Sequence, residues 1–138
     1  MQPTIERRPR VLIAEDDPEM RSLIAAALRH ARCEVIEAKN GYEMLDELCS
    51  GLFNPAVDPP ADLIISDLRM PGVTGLSLLA GLRSAGWHTP FILITAHDKP
   101  GLREMALRHG AASYLAKPFS GTALLQAVRG AIEPGPPS

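Results

Sequence analysis

Apolar residues along the chain follow two alternating patterns. Unbroken apolar runs occur at Val11-Leu12-Ile13, Leu63-Ile64-Ile65 and Phe91-Ile92-Leu93-Ile94. A strand covered on both faces needs such a run, and the central strands of parallel sheets are covered on both faces. The run Cys33-Glu34-Val35-Ile36-Glu37 is more mixed, as suits an edge strand. The pattern predicts strands at 11–14, 33–37, 63–66, 91–95 and 113–116. Between them, apolar residues recur with the helical period. Met20, Leu23, Ile24, Ala27 and Leu28 form one stripe, and Met44, Leu45, Leu48 and Cys49 a second. Leu78, Leu79 and Leu82 form the next, followed by Leu102, Met105 and Ala106, then Leu124, Leu125, Val128 and Ile132. Asp17-Pro18 reads as a helix N-cap followed by proline at the first helical position. Five strand–helix units predict an α/β fold: a doubly wound five-stranded parallel sheet with helices on both faces.

Length and composition narrow the picture further. The chain has 138 residues, enough for one domain with its own core. The expected division is an N-terminal extension at 1–9, the domain at 10–133, and a tail or the start of a linker at 134–138. The last of these holds Pro134-Gly135-Pro136-Pro137, which cannot continue a helix. Formal charge is −2, from 14 basic and 16 acidic residues, and the pI is near 6.1. No basic bias points to direct nucleic-acid binding or to an anionic membrane. Cys33 and Cys49 have neither a metal-ligand spacing nor a disulfide framework, so both are expected as buried or half-buried thiols in a reducing compartment. No apolar stretch is long enough for a signal peptide or a membrane span, so a cytoplasmic location is expected.

The residues that follow the strands carry the chemistry. Ligands on doubly wound sheets sit at the carboxyl ends of the strands. Glu15, Asp16 and Asp17 follow the first strand, Asp67 the third, Thr95 ends the fourth, and Lys117-Pro118 follow the fifth. Taken singly, each is an ordinary loop or turn residue. Taken together, they place several carboxylates, a hydroxyl and an ammonium on one rim. Crowded carboxylates repel, and a hard divalent cation relieves that conflict. Magnesium takes a few oxygen ligands, keeps several waters and shares itself with phosphate. Glu15, Asp16 and Asp67 are of the right type to hold it. An aspartate can also attack phosphorus, with ammonium and hydroxyl donors stabilising the developing charge.

In these motifs the sequence resembles the receiver domain of bacterial two-component response regulators. The motifs are Val11-Leu12-Ile13-Ala14-Glu15-Asp16-Asp17; Asp62-Leu63-Ile64-Ile65-Ser66-Asp67-Leu68-Arg69-Met70-Pro71-Gly72; Ile94-Thr95-Ala96; and Gly110-Ala111-Ala112-Ser113-Tyr114-Leu115-Ala116-Lys117-Pro118-Phe119. The resemblance implies a flavodoxin-like sheet of order 2-1-3-4-5. It implies Asp67 as phosphoacceptor and Mg2+ held by Glu15, Asp16, Asp67 and the backbone carbonyl of Arg69. Thr95, Ala96 and Lys117 become the phosphoryl-binding positions, and Tyr114 the aromatic that swings inward when the threonine moves. Lys117-Pro118 becomes a cis peptide. The implied partners are a sensor histidine kinase or phosphotransfer protein upstream and a protein or output domain downstream. The implied role is regulatory rather than enzymatic.

Three features depart from that pattern. The stretch from Gly41 to Asp67 is longer than usual, with the extra residues at 51–60, read as a tolerated surface insertion. His97 lies two residues after Thr95, near the phosphoryl entry path. Ala112, Ser113, Ala123 and Ala127 leave the face of the fourth helix, fifth strand and fifth helix with little charge, which argues against an ionic dimer there. Three other readings compete, the weakest being a flavin-binding relative, since no phosphate-cradling loop rich in glycine, serine or threonine follows the first strand. A phosphatase of the haloacid dehalogenase kind also uses an aspartate, a hydroxyl, a lysine and magnesium, but its nucleophile follows the first strand and a second aspartate lies two residues on, where this chain has Arg69. A receiver-shaped module that never sees phosphate usually loses part of the acidic pair, the aspartate or the lysine, all of which are kept here.

Overall fold

The computed structural model describes residues 8–52 and 61–132. Five strands alternate with five helices: β1 (Arg10–Ala14), α1 (Pro18–His30), β2 (Glu34–Ala38), α2 (Gly41–Leu52), β3 (Leu63–Asp67), α3 (Gly75–Ser84), β4 (Phe91–Thr95), α4 (Leu102–Arg108), β5 (Ser113–Ala116) and α5 (Gly121–Ile132). All pairings are parallel, and the sheet order is β2-β1-β3-β4-β5. This is the predicted doubly wound architecture. Strand ends differ from the prediction by a residue in places: β2 begins at Glu34 rather than Cys33, and Asp67 is the last residue of β3 rather than the first after it. Residues 53–60, which hold most of the predicted insertion, lie outside the described residues.

The two-residue period of the strands divides the core into two layers. Leu12, Ile64, Leu93 and Tyr114 point to one face, where they meet Met44 and Leu48 of α2, Leu78, Leu79 and Leu82 of α3, and Ala106 of α4. Val11, Ile13, Leu63, Ile65, Ile92 and Ile94 point to the other, against Ile24, Ala25 and Leu28 of α1 and Leu124 and Val128 of α5. Burial of Val11–Ala14, Leu63–Ile65 and Phe91–Ile94 explains why these runs are apolar without a break. Asp17 caps α1 as predicted, its side chain accepting from the backbone N–H of Glu19 at 3.0 Å.

The helical stripes needed correction at three positions. Leu23 was predicted to face the core but is 67% exposed, because the buried line of α1 runs through Ile24, Ala25 and Leu28. Met105 is likewise exposed: α4 has only seven residues, and it seats itself through Ala106 with Leu102 packed alongside. Cys49 is exposed where a buried or half-buried thiol was expected, whereas Cys33 is buried between α1 and the sheet.

Open sheets must manage their edges. Along β2, Glu37 pairs with Arg21 at 3.5 Å and Arg29 at 3.1 Å, and Glu34 pairs with Arg10 at 3.4 Å. Among the described residues, no helix is long and apolar enough to cross a membrane.

Candidate functional site

Parallel strands bring the residues at their carboxyl ends to one rim. Asp67 ends β3 and lies in register with Ile94, immediately before Thr95 at the end of β4. Thr95 pairs with Ala116, immediately before Lys117. Glu15 follows β1, and its backbone N–H donates to Ala38 O at 3.1 Å, which extends the pairing with β2 one step beyond the strand. Arg21 Nη1 donates to the Glu15 carbonyl at 2.8 Å, tying the β1 end to α1.

Glu15, Asp67 and Lys117 form the centre of the site. The Lys117 ammonium donates to Glu15 Oε1 and also to Asp67 Oδ2, the latter at 3.1 Å. The peptide bond from Lys117 to Pro118 is cis, and the Lys117 backbone N–H donates to Thr95 O at 2.7 Å. Glu15 has no exposed surface, and its Oε2 has no hydrogen-bond partner among the described residues. Burial, reinforced by the neighbouring Asp67, pushes the Glu15 carboxyl up to about 8, against the pull of Lys117. The two carboxylates act on Lys117 in the opposite sense, and together they raise its value despite its partial burial.

Asp16, which is exposed, completes a triad of carboxylates. Glu15, Asp16 and Asp67 each offer an oxygen, all within 4.8 Å of one another. An oxygen buried without a partner beside two further carboxylates fits a hard cation: a cation would favour the ionised form of Glu15 against the burial that disfavours it, and Glu15 Oε2 has lone pairs to give. Arg69 directs its backbone N–H toward Asp67 Oδ1 at 3.3 Å.

Thr95 and Tyr114, expected from the resemblance to act as switch positions, lie on the neighbouring strands. Thr95 is fully buried, and its Oγ1 accepts from the backbone N–H of His97 at 2.9 Å, so the hydroxyl proton remains free to point elsewhere. Ala96 opens the exposed β4–α4 loop, and the His97 side chain is exposed in that loop. Tyr114 lies inward, 1% exposed, with its hydroxyl donating to Asp98 Oδ1 at 2.6 Å and the Arg103 guanidinium 5.2 Å from its ring centre. Sequence reasoning missed both partners. Asp98 lies three residues after Thr95 in a loop with no periodic pattern, and only the fold brings it to β5.

This arrangement defines a class: a parallel α/β sheet whose C-terminal rim combines an acidic triad, a bridging lysine and a buried threonine. Comparison with known proteins makes the class specific. Residues 11–129 match the family model described as the response regulator receiver domain, and the chain belongs to that family. The C4-dicarboxylate transport transcriptional regulatory protein DctD of Pseudomonas aeruginosa is 34% identical over 128 residues, covering 93% of this chain and 26% of DctD. The transcriptional regulatory protein FixJ of Azorhizobium caulinodans is 32% identical over 122 residues, covering 88% of this chain and 54% of FixJ. The chain thus spans about a quarter to about half of these two relatives. Among solved structures, the signal receiver domain of a NarL response regulator from Mycobacterium tuberculosis superimposes with a TM-score of 0.79 at 30% identity, covering 94% of this chain and 100% of that one. The chemotaxis protein CheY4 of Vibrio cholerae gives 0.77 at 27% identity, covering 91% and 99%. The sheet order and the flavodoxin-like fold agree with the expectation from sequence.

Proposed function

We propose that Asp67 is the phosphoacceptor of a magnesium-dependent receiver, charged by a histidine kinase or phosphotransfer protein. The observation that carries this reading is the Lys117 ammonium bridging Asp67 and the fully buried Glu15. A carboxylate oxygen of Asp67 attacks phosphorus, and an acyl–phosphate bond forms. The bond from phosphorus to the donor imidazole nitrogen breaks, and the imidazole keeps that electron pair and takes a proton from solvent. Glu15, Asp16, Asp67 and the Arg69 carbonyl would hold magnesium. When bound, magnesium neutralises charge on the transferring phosphoryl oxygens. Lys117 is placed to follow the charge from the Asp67 carboxylate to the phosphoryl group, and Thr95 can donate its free hydroxyl proton to the same oxygens.

The output is regulatory. Drawing Thr95 toward the phosphoryl group pulls on the His97 N–H and hence on the loop that carries Asp98, the partner of Tyr114. The face formed by α4, β5 and α5 would then change shape as a two-state element. Exposed Met105 and Leu107, with Ala112 and Ser113 nearby in sequence, suit a mainly apolar contact with a downstream protein or an output domain, one that depends little on salt. The acidic balance gives this domain no basis for direct contact with nucleic acid, and the setting is the cytoplasm.

Acetyl phosphate and magnesium test the acceptor directly. Intact-protein mass spectrometry should show one added phosphoryl group on the wild-type chain and none on Asp67→Asn. An adduct of equal yield in Asp67→Asn would overturn the assignment.

A further inference from the structure

The β3–α3 loop carries Arg69, and its geometry suggests how that residue is kept in place. The loop is pinched at its base. Gly75 N–H donates to Leu68 O at 2.9 Å, and a Cβ on Gly75 would lie 2.3 Å from Asp67 O. From inside, Met70 is buried in the core and Val73 packs against it. From outside, the first turn of α2 meets the loop tip at two points. A Cβ on Gly41 would lie 2.6 Å from Val73 Cβ. A Cβ on Gly72 would lie 2.1 Å from Tyr42 Cε2 and 2.5 Å from its hydroxyl oxygen. Gly72 also has φ +86°, a conformation that favours glycine. Each element therefore offers a glycine to the other's side chain. Tyr42 is 59% exposed, so core packing does not explain its position; its Cε2, Cζ and hydroxyl are the atoms that a Cβ on Gly72 would meet.

We infer that Tyr42 is a positioning residue: its ring clamps Gly72 and thereby fixes the Arg69 carbonyl for the cation. The inference rests on the magnesium reading above. A carbonyl donates to a metal only from a fixed direction, and the backbone between Arg69 and Gly72 is short enough to transmit a shift at the tip. Outer groups that orient metal ligands commonly affect affinity by about 10- to 100-fold. A clamp acting through backbone belongs at the lower end, roughly tenfold.

Magnesium titration by calorimetry on the full chain tests the clamp, with Tyr42→Phe, Tyr42→Ala, Gly72→Ala and the double variant Tyr42→Ala/Gly72→Ala. Tyr42→Phe keeps the ring and should bind as the wild type does. Tyr42→Ala should lose about tenfold in affinity. Gly72→Ala should also lose affinity, from its positive φ and from the collision with the ring. In the double variant the collision is gone, so the losses should be less than additive. A purely structural role for Tyr42 would lower the melting temperature of Tyr42→Ala and leave magnesium affinity unchanged, which overturns the inference. Additive losses in the double variant overturn it as well. A wild-type chain that binds no magnesium would instead overturn the underlying metal reading.

Discussion

The hydroxyl of Tyr114 donates to Asp98 Oδ1 at 2.6 Å, joining the middle of β5 to the loop that leaves β4. The phenol is held up at about 12, first by burial and then by Asp98, with Arg103 pulling the other way. In Asp98→Ala the ionisation of Tyr114 should move down from about 12 yet stay above the ordinary tyrosine value of 10.0, because burial is the larger cause. Ultraviolet titration of the phenolate against a Tyr42→Phe background checks this. No movement would mean that the hydrogen bond does not persist in solution.

Glu15 should make stability fall as pH rises. Its folded value is about 8 against an ordinary 4.5, so between those values the folded chain holds a proton that the unfolded chain has lost. Stability is therefore highest at the acid end of that window and declines toward its alkaline end. Magnesium favours the ionised carboxylate and opposes the decline. Melting temperatures at about pH 6 and about pH 9, with and without magnesium, should show the larger magnesium gain at the higher pH. Glu15→Gln should flatten the profile over this range.

Asp16 is exposed, and it contributes an oxygen to the acidic triad. Its removal should cost metal binding without costing the fold. Asp16→Ala is expected to bind magnesium at least tenfold more weakly, by calorimetry, with a melting temperature close to that of the wild type. Equal affinity would remove Asp16 from the site.

Gly75 packs directly against the backbone of Asp67. A methyl group there would meet Asp67 O at 2.3 Å, Leu93 Cδ1 at 2.8 Å and Ser66 Oγ at 3.0 Å. Backbone cannot yield as a flexible side chain does, so Gly75→Ala should destabilise the chain by roughly 1–3 kcal/mol in urea unfolding. Gly81→Ala meets nothing within 4 Å and serves as the control, neutral or slightly stabilising within its helix.

The sheet was legible in the sequence because burial on both faces leaves no choice of residue: β1, β3 and β4 are apolar throughout their middles. The rim was legible for a related reason. Parallel strands put their carboxyl ends together, so Glu15, Asp67, Thr95 and Lys117 needed no distance information to be grouped. Helical phase was harder to read. Leu23 and Met105 satisfy the period yet face solvent, since a stripe of small and large apolar residues can be seated by Ala25 or Ala106 as well as by a leucine. Contacts between loops and distant elements carried no signal at all. Asp98 on Tyr114 and Tyr42 on Gly72 depend on where a loop turns, and neither periodicity nor local propensity encodes that.

The ion pairs along β2 have a consequence for self-association. Each is partly exposed and contributes about 0–1 kcal/mol to folding. Their larger effect is on strangers. A strand from a second molecule seeking to lengthen the sheet at this rim would have to strip water from Glu34, Glu37, Arg21 and Arg29 and find new partners for them. The charges thus make β2 a poor template, and an edge left open by the topology is guarded by its side chains.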